Sequence, residues 1–328
     1  MGVGDTMYNW LIKLYKNLSI KLKHLNSVIK YVKKQSNKFY IIILLDIIFC
    51  YIVYLLDLEE YKKLEFYNMN HSLRKTYLNE AVHDLIKTFL YKKENLVIIK
   101  NKERFLQRFK SYIKSDIYNL NKISYKEFEE LLNKNKKIIC RSTSQDFINS
   151  FEVYDTTKFR GPGFVLEKAK KNNLLLVEKN IDQHKKLKEI SENLVVINLV
   201  TMINNTNVDV ISSYITYKEN NEVIRGYIDI KKGKLKGHLR NKNNAIYNEG
   251  TVNFEIPNLE DMIKFVKEAA KEIDEIKEVE WSLCLDTRGK IHLMDANTWK
   301  HIIFAQTPEY LNKKIGLLPY YKKIILKK

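Results

Sequence analysis

The residues best suited to chemistry lie together in EVEWSLCLDTRGKIHLMDANTW, residues 278–299. Two alternating apolar runs, 279–285 and 291–296, flank Asp286-Thr287-Arg288-Gly289-Lys290, a pattern that predicts a β-hairpin with a glycine-containing loop. Alternation puts Glu280, Ser282 and Cys284 on one face of the first strand, and Asp295 and Asn297 on one face of the second. An even-numbered loop centred between Thr287 and Arg288 sets Glu280 directly opposite Asp295, with Cβ atoms about 5 Å apart. Two carboxylates that close repel unless a cation or a shared proton lies between them. With the Asn297 amide they form a hard-oxygen donor set of the kind Mg²⁺ uses alongside nucleotide phosphates. Glu280, Asp295 and Asn297 are therefore the expected metal ligands. Ser282 falls opposite Leu293 in that register, farther from the strand end. A polar sheet end facing water would account for the same residues without any metal.

Several elements must position this hairpin. Lys137-Ile138-Ile139-Cys140-Arg141 and Leu174-Leu175-Leu176-Val177-Glu178 are apolar runs of strand length. Strands are also expected at 96–99, 193–202, 208–217, 222–230 and 234–239, with Lys232, Lys234, Lys236, His238 and Arg240 alternating along the last, either as on an outer strand guarded by lysines or as a basic strip facing phosphate or glycan. Ser124 and Glu127 have the spacing of a capping box. A helix from Pro257 to Ile273, with Met262, Phe265, Val266 and Ala269 on one stripe, is expected to pack beneath the hairpin.

Asp295-Ala296-Asn297 at a strand end resembles the Glu-x-Asn metal motif of the ATP-grasp superfamily. More narrowly, Val177-Glu178-Lys179-Asn180-Ile181-Asp182-Gln183-His184 and the Trp281 strand resemble the sugar-transfer-associated ATP-grasp family of surface-polysaccharide gene clusters, over roughly residues 61–297. The resemblance implies an α+β class, an ATP-grasp fold of two α+β subdomains gripping a nucleotide cleft, with a helical N-terminal extension. It implies a helical region over 1–92 and an ATP-grasp-like domain over 93–305. That domain divides into a smaller lobe and hinge (93–180) and a larger lobe with the metal hairpin (181–305), and a basic tail follows over 306–328. The implied cofactors are ATP and Mg²⁺. Lys102 and Arg141 would hold phosphates, Glu178, Lys179, Asn180 and Ile181 would meet adenine, and Glu280, Asp295 and Asn297 would hold metal. Arg141 and Glu280 are thus the implied catalytic residues. The implied reaction is ATP-dependent carbon–nitrogen ligation, in which a phosphorylated carboxylate is attacked by an amine carried on a sugar or glycan.

The chain departs from that family at telling positions. Arg141 stands where the family has a phosphate-binding lysine, and the loop at 142–150 contains no glycine. Glycine lets backbone N–H groups close on a phosphate without a Cβ in the way. Asn198 replaces an arginine and Ser282 an aspartate. These departures support an alternative, a catalytically degenerate ATP-grasp scaffold that binds nucleotide or glycan in a polysaccharide assembly system.

Composition bounds the partners. The formal charge is +18, with 57 Lys and Arg, which suits a solvated basic surface or attraction to phosphates, acidic glycans or an anionic leaflet. No aromatic-basic module points to nucleic acid. Cys50, Cys140 and Cys284 are scattered singly in apolar runs, as buried thiols of a reducing compartment would be. Residues 1–9 lack the features of a secretion signal, so the cytoplasm is the expected location, with peripheral membrane contact through two features. One is the basic amphipathic stretch at 8–38, and the other is the apolar run Phe39–Leu56, whose single charge is Asp46. That run reads either as a buried helix or as a membrane anchor.

Overall fold

The computed structural model describes residues 3–113, 115–143, 148, 150–159, 161–241, 245–248, 253–311 and 315–326, with side chains from residue 19 onward. The chain divides into two compact units, residues 1–86 with 301–328, and residues 87–300.

The 87–300 unit contains two antiparallel sheets. The first is built from β1 (Ile117–Asn119), β2 (Lys137–Arg141), β3 (Phe151–Asp155) and β4 (Leu176–Lys179), in the order β1-β4-β2-β3. The second comprises β5 (Val196–Asn204), β6 (Asn207–Glu219), β7 (Glu222–Asp229), β8 (Lys234–Arg240), β9 (Ile246–Asn248), β10 (Glu278–Leu285) and β11 (Ile291–Asn297), in the order β11-β10-β5-β6-β7-β8-β9. With the helices around them these sheets make the expected α+β class.

β5 is an apolar run buried from Val196 to Ile203, because it is an inner strand covered on both faces. One face of the large sheet presents Ile197, Ile215, Trp281 and Leu283 to the helix Leu259–Lys271, whose Met262, Val266 and Ala269 are buried against them. That helix packs mainly beneath β5 and β6 and meets the expected hairpin through its first strand, β10. Trp281 donates its Nε1 proton to Thr201 Oγ1 at 2.8 Å, and its ring meets Phe109 edge-on at 5.4 Å. The opposite face carries the polar residues described below.

Two local expectations are corrected. Residues 97–100 are helical rather than extended, since four apolar residues carry no period that separates strand from buried helix turn. β8 pairs with β9 as well as β7, so it is not an outer strand. The capping box at Ser124 and Glu127 forms as expected, and all three cysteines are free and buried.

In the other unit, helices Val3–Ser36 and Tyr40–Tyr54 are followed by short helical turns. Asp46 accepts hydrogen bonds from Arg74 Nη1 at 2.7 Å and Nη2 at 2.8 Å, and from the Tyr61 hydroxyl at 2.7 Å. This unit also includes the basic C-terminal segment. Gln306 Oε1 accepts from the backbone N–H of Leu78 and of Leu317, each at 2.9 Å, and Leu318 N–H donates to Thr76 O at 3.0 Å. Long-range pairing of this kind leaves no periodic trace in the sequence.

Among the described residues no single helix is long and apolar enough to cross a membrane, and the helical segments 19–36 and 40–54 are bent by 114° to one another. Nor is 40–54 a buried helix. Only Ile43, Ile47 and Cys50 on it are buried.

Candidate functional site

β10 and β11 form the expected hairpin in a different register. Asp286 Oδ1 accepts from the N–H groups of Arg288 and Lys290, both at 2.9 Å, closing the loop between Leu285 and its partner Ile291. Gly289 takes φ +76° within it, a conformation that disfavours any side chain. The loop is therefore odd-numbered, and a bulge between Ser282 and Leu283 shifts the pairing again. As a result Ser282 lies opposite Asp295 and Glu280 opposite Asn297. The expected pairings of Glu280 with Asp295 and of Ser282 with Leu293 are both overturned. Loop parity and a bulge decide register, and neither is legible in alternation alone.

Glu280, Ser282, Asp295 and Asn297 still share one face of the sheet, and Asn198 on β5, opposite Ser282, extends it. Ser282 Oγ donates to Asn198 Oδ1 at 2.9 Å, and Asn198 Nδ2 donates to Thr216 Oγ1 at 2.9 Å. The two positions that depart from the family motif are thus joined by one hydrogen-bond chain across three strands. Farther along, burial pulls the Arg225 guanidinium below its ordinary range, while Tyr214 and the Glu280 carboxylate act to hold the charge. The sequence reading missed Thr216, Tyr214 and Arg225. Their signal was a polar alternation inside otherwise apolar strands.

Asp295 is fully buried and forms an ion pair with Lys102, whose side chain is 3% exposed. Lys102 opens the helix Lys102–Arg108, whose first turn is capped by Asn101 accepting from Arg104 N–H at 3.1 Å. Asp295 also accepts from the Asn297 side-chain amide and from Ala296 N–H, both at 2.9 Å. The two residues expected to hold phosphate and metal separately are therefore bound to each other. Lys102 is also among the residues that line a cavity of about 500 Å³, with Lys93, Lys100, Glu103, Asn119 and Thr143.

Arg141 does not present itself to solvent either. It is 2% exposed, its Nε lies 3.1 Å from Glu178 Oε1, and its Nη1 donates to Met294 O at 2.6 Å. Burial pushes the Glu178 carboxyl upward and Arg141 counters it. This pair links the small sheet to β11 inside an apolar layer that includes Ile139, Ile181, Val196, Cys284 and Met294. Lys179, Asn180 and Ile181 line a separate cavity of about 780 Å³ with Tyr118, Arg288 and His292, whereas Glu178 does not. Gln183 serves structure, donating to Ser191 O and Asn193 O at 2.6 and 2.9 Å, and His184 caps the turn after it. Residues 144–147 and 149 of the loop after Arg141 lie outside the described residues.

The fit of a divalent metal follows from these contacts. Asp295 is already neutralised by an ammonium group, its cross-strand partner is a serine, and among the described residues no group of three His, Cys, Asp or Glu converges as a metal site. A second cation at Asp295 would repel Lys102 at close range. The side chains as they stand do not fit Mg²⁺.

No family model and no curated protein matches the chain. It is similar to solved structures of D-alanyl-alanine synthetase A from Vibrio cholerae (11% identity, 73% of this chain and 68% of that one, TM-score 0.44) and N5-carboxyaminoimidazole synthetase from Staphylococcus aureus complexed with ADP (8% identity, 65% and 48%, TM-score 0.43). An L-amino acid ligase from Bacillus licheniformis is also similar (13% identity, 62% and 41%, TM-score 0.38). The chain spans about half the length of most of these proteins. At such identities and TM-scores the likeness assigns neither a family nor an activity to the chain.

Proposed function

We propose that residues 87–300 form an ATP-grasp-type unit that binds a nucleotide without a divalent metal, and that the protein serves cell-surface glycan assembly as a binding component descended from carboxylate–amine ligases. The observation that carries this reading is the buried Lys102–Asp295 pair. A lysine stands where the metal acids of a ligase would need their cation. Lys93 and Lys100, on the cavity that Lys102, Glu103 and Thr143 also line, suit a polyphosphate, because ammonium groups lower the energy of a polyanion beside them. The glycan setting rests on the resemblance of residues 177–184 and of the Trp281 strand.

A second reading keeps the ligase active with Mg²⁺ and ATP on carboxylate and amine substrates. It is favoured by the common face of Glu280, Asp295 and Asn297.

Calorimetry of ATP with the full chain, in EDTA and then in Mg²⁺, separates the two. The first reading expects equal affinity in both buffers and no ADP formed. Binding that requires Mg²⁺, with ADP released on adding carboxylates and amines, would establish the second. No binding in either buffer would remove both.

A further inference from the structure

Helix Tyr40–Tyr54 turns its apolar surface outward. Ile43, Ile47 and Cys50 face inward, while Ile41, Ile42, Leu45, Ile48, Ile52 and Val53 are exposed, Leu45 by 59% and Ile52 by 69%. At 100° per residue these six positions sweep about 140° of the circumference, and about 220° with the exposed rings of Tyr40, Phe49 and Tyr51. The helix has one charged residue, Asp46, and Arg74 and Tyr61 hold its carboxylate within the unit. The outward arc is therefore uncharged.

We propose that this helix seats in the interfacial layer of an anionic lipid bilayer, lying in its plane. Breadth is the first argument. A helix packed on a protein surface typically buries a stripe a little over about 100° wide, whereas fluid acyl chains wrap a convex arc twice that width. Length is the second. The 15 residues extend about 22 Å, short of the roughly 30 Å hydrocarbon core, so the helix lies in the layer rather than across it. Charge is the third. The preceding helix ends with Lys33 and Lys34 in its last turn, both exposed, with exposed Lys30 a turn earlier. Basic groups beside an apolar helix face are drawn to anionic headgroups. Tyr40 and Tyr51, also exposed, supply rings suited to the headgroup level.

The test is sedimentation of the full chain with phosphatidylcholine vesicles, with and without phosphatidylglycerol. Partition should rise about tenfold with phosphatidylglycerol and fall with added salt. The double change Leu45→Glu, Ile52→Glu should reduce it about tenfold, with circular dichroism unchanged because both side chains are exposed. Lys33→Glu with Lys34→Glu should abolish only the phosphatidylglycerol-dependent part. Equal pelleting of the folded Leu45→Glu, Ile52→Glu protein would overturn the proposal. So would a parent that ignores vesicles but forms a dimer in ultracentrifugation that the same changes dissolve, since the face would then belong to a second copy.

Discussion

Lys102 places its ammonium against the Asp295 carboxylate where both side chains are closed to water, 3% and 0% exposed. Each charge depends on the other. Removing one partner of a buried pair strands the survivor at a cost of about 3–5 kcal/mol, while exchanging both for apolar residues of similar volume is often neutral. Lys102→Met alone should therefore lower unfolding free energy in urea by about that amount, and Lys102→Met with Asp295→Leu should recover most of it. A single variant as stable as the parent would mean that the pair is not closed in solution.

Ser282 lies directly opposite Asp295, so Ser282→Asp would set two carboxylates about 5 Å apart. With only one lysine to neutralise them they repel, and the variant should be less stable in EDTA by about 1–3 kcal/mol. Mg²⁺ should restore part of that loss and leave the parent's melting temperature unchanged. Stabilisation of the parent by Mg²⁺ would show that a metal site already exists.

Asp286 predicts a pH dependence. Burial by itself raises its carboxyl, but the N–H of Lys290, the His292 ring and the N–H of Arg288 together hold it below the ordinary range. A folded-state value below the unfolded one, about 3.9, gives stability that is present above that pH and disappears as pH falls through the lowered value. The parent should exceed Asp286→Ala by about 1–3 kcal/mol at neutral pH, and the difference should shrink below about pH 4. A gap that stays constant down to acid unfolding would show that the loop is held by shape alone.

Gly316 tests the docking of the C-terminal segment. A Cβ there would run into the backbone of Thr76 and Tyr77, while its N–H donates to Thr76 Oγ1 at 2.9 Å. Overpacking of this kind costs about 1–3 kcal/mol. Gly316→Ala should expose the segment after Gln306 to limited proteolysis under conditions where the parent is resistant. Identical digestion patterns would mean that the segment is not held there.

Sequence alone determined the elements whose signal is local. The Ser124 capping box, strands β2 and β4, the stripe of the 259–271 helix and the hairpin at 278–297 follow from periodicity and turn chemistry, which act over a few residues. Alternation within β11 put Asp295 and Asn297 on one face, but that Glu280 shares it depended on register, because the odd loop alone would have turned it to the other face and the bulge turned it back. Tertiary structure decided the rest. Which residue stands opposite Asp295 depended on an odd loop and a bulge, each worth one position. That Lys102 is the cation at Asp295 depended on a helix N-terminus 193 residues away in sequence. Arg141 was legible as a strand-end cation, but its commitment to Glu178 and Met294 was not, since all three meet only when the small sheet closes on β11. Asp46 shows the same division. Its sequence neighbours mark it as a lone charge in an apolar helix, and only Arg74 and Tyr61, brought in by the fold, turn it inward and leave the rest of the helix surface uncharged.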